Sequence, residues 1–212
     1  MTQLSKHGHS CVRLDDGDRT LVLDPGVFSD LAAALDGADA VMITHEHADH
    51  LDVDGVGAAV RADSRLRVYA PSSVAGLLDV GDQVVAVGAG ESFEAAGFAV
   101  RTFGGQHALI HPLIPVVPNM GYLIDDSVYH PGDSLVVPPV PVRTLLLPAV
   151  APWSKVSEVI DFAVAVRAPR AYPIHDAIVT DGWRAIVERL LSPIAEPFGV
   201  EYASWPDAPV TA

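Results

Sequence analysis

The sequence predicts an α/β domain. Three observations support this prediction: strand-like and helix-like patterns alternate over residues 10 to 78, no fixed-period repeat is present, and metal-binding residue types follow apolar runs. The chain has 212 residues, of which 50% are hydrophobic and 19% are charged, so it fits one packed domain over residues 1–212. Its proline-containing end, at about 206 to 212, is expected to be a loose tail.

A predicted hairpin opens the chain. Residues 10 to 14 and 20 to 24 are short strand-like runs, separated by the turn-forming stretch at 15 to 18. Residues 29 to 36 are good helix formers between a capping serine and a glycine, so they predict a helix. The apolar run at 40 to 44 predicts the next strand.

The alternation then continues. Residues 52 to 62 predict a helix, because Asp52 is a good cap and valines recur at helical spacing. Residues 65 to 70 predict a strand, and a short helix is expected at 71 to 78. This order of strand, helix, strand and helix is typical of α/β domains.

The middle of the chain has a different pattern. The apolar runs within residues 83 to 103 are short and bounded by glycine, so they predict antiparallel strands. Residues 104 to 107 end this series. Three prolines make residues 111 to 118 an irregular loop, which is expected to form part of a pocket wall.

A second hairpin is predicted at residues 121 to 124 and 128 to 130, around a polar turn. The remaining predicted elements are alternately strands and helices, at residues 143 to 148, 154 to 167, 171 to 174 and 183 to 191.

The segment Thr-His-Glu-His-Ala-Asp-His at residues 44 to 50 directly follows a predicted strand. Side chains two residues apart on an extended segment point the same way, so His45, His47 and Asp49 can converge while His50 lies on another side. Imidazoles and carboxylates bind zinc, iron or manganese. One cation rarely takes four ligands from so short a peptide, so two adjacent metals explain the segment better than a solvated polar loop does.

Composition excludes several classes of function. The chain has 27 acidic and 13 basic residues, a formal net charge of −14, so nucleic acid is not an expected partner. Cys11 is the only cysteine, which excludes an internal disulfide and a cysteine-rich zinc site. The sequence shows neither the apolar segment of a signal peptide nor a membrane span, so a cytoplasmic protein is expected, and a homo-oligomer stays open.

Further ligand-type residues follow other predicted strands. His107 comes after one strand, Asp133 after the second hairpin, and His175 at the end of a third strand. Sites in α/β domains are built at strand ends, so these residues are expected to join the histidine segment.

These motifs make the chain resemble the metallo-β-lactamase superfamily of metallohydrolases. The ordered set is Asp24 in Leu-Asp-Pro, the segment at 44 to 50, His107, Asp133 in His-Pro-Gly-Asp-Ser, and His175 in Pro-Ile-His-Asp. Within the superfamily the chain looks most like the ascorbate-phosphate lactonase-like branch, because of its Gly-His-Ser opening and its Tyr-His-Pro-Gly-Asp segment.

The resemblance implies a four-layer αββα sandwich of mixed sheets, with a dinuclear metal site at the strand ends. It implies that Asp133 bridges two cations and that Asp24 orients a ligand through a hydrogen bond. The ligands it implies for the first cation are His45, His47 and His107, and those for the second are Asp49, His50 and His175.

The function that follows is metal-dependent hydrolysis of a small molecule of the lactone, ester, amide or phosphoester class, by a hydroxide bound to both cations. Asp49 is the expected catalytic residue, because it can hold the water and pass a proton to the leaving group. Two divalent ions, zinc or else manganese or iron, are the expected cofactors. A phosphodiesterase or nuclease of the same fold is one alternative, and a non-catalytic metal-binding protein is another.

Several aromatic side chains keep more than one interpretation. His9 either lines the site or is a structural histidine. His111 competes with His107, which the motif favours, and is therefore assigned a rim or surface role. His130 is interpreted as a structural histidine of its strand, and Trp153 as a packing residue in a loop that could border the pocket.

Overall fold

The computed structural model describes residues 1–212 and contains two β-sheets with helices on their outer faces. The first half of the chain forms strands β1 (Gln3–Lys6), β2 (Val12–Asp16), β3 (Arg19–Leu23), β4 (Ala40–Met42), β5 (Arg67–Ala70) and β6 (Val84–Ala86). The second half forms β7 (Ser92–Ala95), β8 (Phe98–Gly104), β9 (Met120–Ile124), β10 (Val128–His130), β11 (Thr144–Pro148), β12 (Arg170–Ile174), β13 (Glu201–Tyr202) and β14 (Val210–Thr211).

The helices lie between these strands. They are α1 (Leu31–Leu35), α2 (Val53–Ala62), α3 (Ser72–Leu78), α4 (Val156–Val166) and α5 (Asp181–Ala195), with short 3-10 turns at Gly81–Gln83 and Glu196–Phe198. The cap of α2 explains its start, because the Asp52 side chain accepts a hydrogen bond from the Gly55 N–H at 2.8 Å.

The two sheets share one internal arrangement. The strand order is β14-β1-β2-β3-β4-β5-β6 in the first sheet and β7-β8-β9-β10-β11-β12-β13 in the second. In each order, three antiparallel pairs are followed by three parallel pairs. The carboxyl ends of the parallel strands therefore meet along one edge of each sheet, where sites of α/β folds form.

Alternate strand residues pack into different apolar layers. In β3, Leu23 packs between the two sheets and Val22 packs under the helices of the first sheet; in β11, Leu146 faces the other sheet and Leu147 faces α4. Because both faces of these strands are covered, the runs Leu21–Leu23 in β3 and Leu145–Leu147 in β11 are entirely apolar. The order of layers is helix, sheet, sheet and helix, which confirms the predicted four-layer αββα sandwich.

Two expectations are wrong at this level. The strand predicted around residues 83 to 87 pairs in parallel with β5, because β6 follows α3 and so continues the strand–helix–strand series. The predicted loose tail ends in β14, in which Val210 pairs with Leu4 of β1, and the Ala212 N–H donates to the Thr2 carbonyl. A strand of two residues is too short to show a pattern of its own.

None of the helices has the length and hydrophobicity of a membrane-spanning segment. Cys11 is buried in the layer between the first sheet and its helices, where burial raises the pKa of its thiol to about 12.

Candidate metal centre

The predicted ligands lie together at the seam between the two sheets. Strand β4 of the first sheet leads into residues 45 to 50, which supply four of them. His107, Asp133 and His175 follow β8, β10 and β12 of the second sheet. Each sheet therefore contributes part of the centre.

The first group of side chains is His45, His47 and His107. One ring nitrogen from each lies within 4.8 Å of the others. The ring centroids are 4.7 Å apart for His45 and His47, 4.9 Å for His45 and His107, and 4.8 Å for His47 and His107. Three imidazoles at this spacing suit zinc and other divalent ions of the first transition row.

Asp49, His50 and His175 form the second group, which also contains His9, and its ligand-type atoms again lie within 4.8 Å of one another. The Asp49 Oδ2 atom is 3.1 Å from Nε2 of His175 and 3.9 Å from Nε2 of His50. This mixed set of imidazole and carboxylate could hold a second cation.

Asp133 lies between the two groups. Its Oδ1 atom is 3.1 Å from Nε2 of His50, and its Oδ2 atom is 3.3 Å from Nε2 of His107 and 3.2 Å from Nε2 of His175. One carboxylate thus reaches histidines of both groups, which is the geometry that a bridging ligand requires.

Backbone carbonyls orient two of the histidines. His107 Nδ1 lies 2.5 Å from the Ala108 carbonyl oxygen, and His175 Nδ1 lies 2.7 Å from that of Val150. A carbonyl only accepts, so each Nδ1 carries a proton and donates it. Each Nε2 then faces the centre, where it can bind a cation once it carries no proton.

Asp24 and Thr44 orient two more. The Asp24 Oδ2 atom accepts from His50 Nδ1 at 2.6 Å and from the Thr44 hydroxyl at 2.7 Å, while Oδ1 accepts from the Thr44 N–H at 2.7 Å. The Thr44 hydroxyl proton is used by Asp24, so its oxygen accepts from His45 Nδ1 at 3.0 Å. Asp24 therefore sets the orientation of His50 directly and that of His45 through Thr44.

Unpaired buried atoms show that this arrangement fits a cation. His45 Nε2, His107 Nε2 and Asp133 Oδ1 are buried, and none of them makes a contact with hydrogen-bond geometry, although Asp133 lies 3.1 Å from His50 and 3.3 Å from His107. Buried polar atoms without partners are costly, and all three belong to residues whose ligand atoms face the centre. A metal ion would satisfy these lone pairs and offset the carboxylate charge.

The carboxylates of the centre are held ionised. Burial would raise the pKa of Asp49, but hydrogen bonds from His175 and His9 hold it well below its usual range. Burial would lower the pKa of His175, but hydrogen bonds to Asp133 and Asp49 raise it to about 9. A cation must therefore displace a proton from His175 at neutral pH.

His9 lies beside Asp49, and its own tautomer limits its role. Its Nδ1 atom accepts from the Ala177 N–H at 3.3 Å, so the ring proton belongs on Nε2. That Nε2 atom lies 3.2 Å from Asp49 Oδ2 and donates to it. His9 thus lines the centre as a hydrogen-bond donor to a ligand, with no lone pair left for a cation.

Two other histidines lie outside the ligand groups. His111 is exposed, and its Nδ1 accepts from the Leu113 N–H at 3.1 Å. His130 is fully buried; its Nδ1 accepts from the Gly132 N–H at 3.0 Å and its Nε2 donates to the Ser10 carbonyl at 3.1 Å. Both ring nitrogens of His130 are therefore taken by the backbone.

Trp153 has a role that its sequence context did not reveal. Its indole N–H donates to Asp133 Oδ2 at 2.7 Å, and its ring centroid lies 6.0 Å from that of His107. The interpretation of Trp153 as a packing residue was therefore incomplete, because it missed the hydrogen bond to Asp133. Its position in a loop after a buried strand was the available signal, but nothing in the sequence pairs it with Asp133.

Known proteins share this sequence pattern and fold. The family model for the beta-lactamase superfamily domain matches residues 3–175. Protein Rv0786c of Mycobacterium tuberculosis is 42% identical over 189 residues, which cover 87% of this chain and 88% of that protein. A UPF0173 metal-dependent hydrolase of Geobacillus thermodenitrificans is 40% identical over 53 residues, which cover 23% of this chain and 24% of that protein.

Among solved structures, Igni18, a metallo hydrolase of the archaeon Ignicoccus hospitalis, superposes with a TM-score of 0.72 at 19% identity, covering 99% of this chain and 97% of the other. At that identity the likeness concerns the fold alone, whereas the family model and the mycobacterial relative match most of the chain in sequence. The protein with this two-sheet fold and this histidine–aspartate centre belongs to the beta-lactamase superfamily.

Proposed function

We propose that the protein is a hydrolase that holds two divalent cations, with zinc favoured over manganese and iron, and acts on a small molecule. The observation that carries this proposal is the anchoring of four histidines. His45, His50, His107 and His175 each direct Nδ1 away from the centre, so their Nε2 atoms converge around Asp133. Such preorganised ring nitrogens are characteristic of a metal site.

The first group of ligands would hold one cation and the second group the other, with Asp133 shared between them. When bound, divalent cations supply a Lewis acid for the substrate oxygen and lower the pKa of water toward neutrality. Asp49 belongs to the second group and would accept a proton from the attacking water. It can then return that proton to the leaving group as the bond to the acyl carbon breaks.

His9 would keep Asp49 in place during this transfer. His9 and His175 both contact Oδ2 of Asp49, and neither contacts Oδ1. A carboxylate held on one oxygen can accept and return a proton at the other without rotating.

The name of the Geobacillus relative, a metal-dependent hydrolase, supports this assignment. The charge distribution favours a small substrate over a polynucleotide. Lys6 and Arg184, near the second group, are both paired with Asp176, so they form no basic groove for a phosphate backbone.

The test combines metal analysis with generic substrates. Purified protein reconstituted with zinc should contain close to two ions per chain and hydrolyse at least one of a panel of lactones, esters, thioesters and phosphodiesters. Asp49→Asn should lower kcat by about 100-fold or more. The matched control is His111→Gln, an exposed histidine outside both groups, which should retain full metal content and activity. Protein that binds no metal after reconstitution, or activity unaffected by the Asp49 substitution, would contradict the proposal.

A further inference from the structure

A long uncharged segment begins beside the metal centre. No Asp, Glu, Lys or Arg occurs between Arg101 and Asp125, in a chain of which 19% is charged. Part of this segment is the loop at 108 to 116, which starts after His107 and is closed by a hydrogen bond from the His107 N–H to the Val117 carbonyl at 3.0 Å. The loop therefore begins directly after His107, which is a predicted metal ligand.

This loop exposes large apolar side chains. Leu109, Leu113, Ile114 and Val116 are all exposed, and Leu113 retains 87% of its accessible surface. Pro112 and Pro115 restrict the loop backbone, which limits its freedom to collapse and bury them. An exposed apolar patch of this kind marks a binding surface more often than it is incidental.

One aromatic side chain lies beside each of the two ligand groups. Phe28 is half-exposed, and its ring centroid lies 5.5 Å from that of His9, beside the second group. Trp153 lies 6.0 Å from His107, beside the first group. We call Phe28, Leu109, Leu113, Ile114, Val116 and Trp153 the apolar rim.

The basic side chains of the same region each face an acidic partner. Lys6 and Arg184 are paired with Asp176, and Lys155, which lies two residues after Trp153, is 3.5 Å from Glu158. A carboxylate or phosphate on the substrate, away from the metals, would meet only cationic side chains that already face a carboxylate, and the net charge of −14 disfavours its approach.

We infer that the substrate is an uncharged acyl compound, an ester, lactone, thioester or amide, whose hydrocarbon group packs against the apolar rim while its carbonyl faces the metal centre. This inference rests on the proposed hydrolase function and narrows its substrate class. The start of the loop at His107 and the acidic partners of the nearby basic side chains favour this occupant over an anionic lipid surface or a nucleic acid.

A probe that binds the metals but is not hydrolysed measures the contribution of the apolar rim to binding independently of catalysis. Acetohydroxamic acid and octanohydroxamic acid share one metal-binding head group and differ by six methylenes, and their affinities for the zinc-loaded protein can be compared by calorimetry. Each buried methylene tightens binding by about fourfold, so three on the rim would favour the octanoyl probe by about 60-fold. The L113S/I114S variant should reduce that preference to a few-fold and leave acetohydroxamate binding unchanged.

The matched control is L77S/I194S. Both residues are 48% exposed and lie near the carboxyl ends of α3 and α5, which run back from the strand ends that carry the centre. This variant should keep the wild-type preference for the octanoyl probe. Ester substrates with acetyl to octanoyl groups should show the same rim dependence in KM.

Several results would overturn the inference. Equal affinity for the two hydroxamates in the wild type, no binding of either by zinc-loaded protein, or an octanoyl preference that survives L113S/I114S would each do so. A wild-type dimer that becomes monomeric in L113S/I114S would assign the loop to a contact between copies, and sedimentation with phosphatidylcholine vesicles that L113S/I114S abolishes would assign it to a membrane. A rim-dependent octanoyl preference without hydrolysis of any ester would instead uphold the apolar contact and refute the hydrolase proposal.

Discussion

Replacing Asp24 by Asn should weaken metal binding although Asp24 is not a predicted ligand. The carboxylate is fully buried and accepts three hydrogen bonds, from the Thr44 N–H, the Thr44 hydroxyl and His50 Nδ1. An amide of the same shape has only one oxygen, so in either orientation a buried N–H group faces another donor. Leaving a buried donor unpaired costs about 1–3 kcal/mol.

Part of that cost falls on metal binding, because Asp24 holds the Nδ1 proton of His50 directly and that of His45 through Thr44. Loss of such a supporting contact lowers metal affinity by about 10- to 100-fold, which corresponds to about 1.4–2.7 kcal/mol. Competition with a chromophoric zinc chelator measures this change. The control is Asp39→Asn, since Asp39 accepts the Thr20 N–H at 2.8 Å, at the other end of the first sheet. Wild-type zinc affinity in Asp24→Asn would refute this reasoning.

Four further predictions concern the centre. Zinc affinity should rise with pH up to about pH 9, because metal must displace the His175 proton, and an affinity independent of pH from 6 to 9 would contradict this. Gly26→Ala should abolish most activity, because its Cβ would lie 2.1 Å from the Asp49 carbonyl oxygen; a crystal structure should show that backbone displaced. Trp153→Phe should lower kcat by about tenfold through loss of the hydrogen bond to Asp133, with zinc content near two ions in metal analysis. Metal-free protein should keep its native circular dichroism spectrum but melt at least several degrees lower, since ligand at 100 times its Kd adds about 2.7 kcal/mol.

Much of the fold is predictable because its cause is local. The valines of α2 recur at helical spacing, and Asp52 caps that helix as its position indicates. The first hairpin forms at the polar turn between β2 and β3. The prediction failed where the pairing of a strand depends on residues that are far away along the chain. Strand β1 contains a single strongly apolar residue, Leu4, and is stabilised on one side by β14 from the opposite terminus. No window along the sequence contains that partner.

The centre shows the same division. Residues 45 to 50 could be identified as metal-binding from spacing alone, because they share one strand end. The order of the motifs and the convergence of strand ends were needed to identify His107, Asp133 and His175 as candidate ligands. The structure brings these three residues within reach of that segment. The hydrogen bond from Trp153 to Asp133 and the Nδ1 contact of His9 with the Ala177 N–H depend on how loops from different strands meet. Such contacts have no counterpart in sequence spacing.

Placing the centre at the seam makes it a link between the two sheets. The first group takes His45 and His47 from the first sheet and His107 from the second, and the second group likewise combines residues of both. A bound cation would therefore oppose separation of the sheets as well as satisfy its own ligands. The apolar layer between the sheets, which includes Leu23 and Leu146, consists of buried hydrophobic side chains and needs no metal. Hydrophobic packing thus brings the two halves together, and the full ligand set exists only after it has done so.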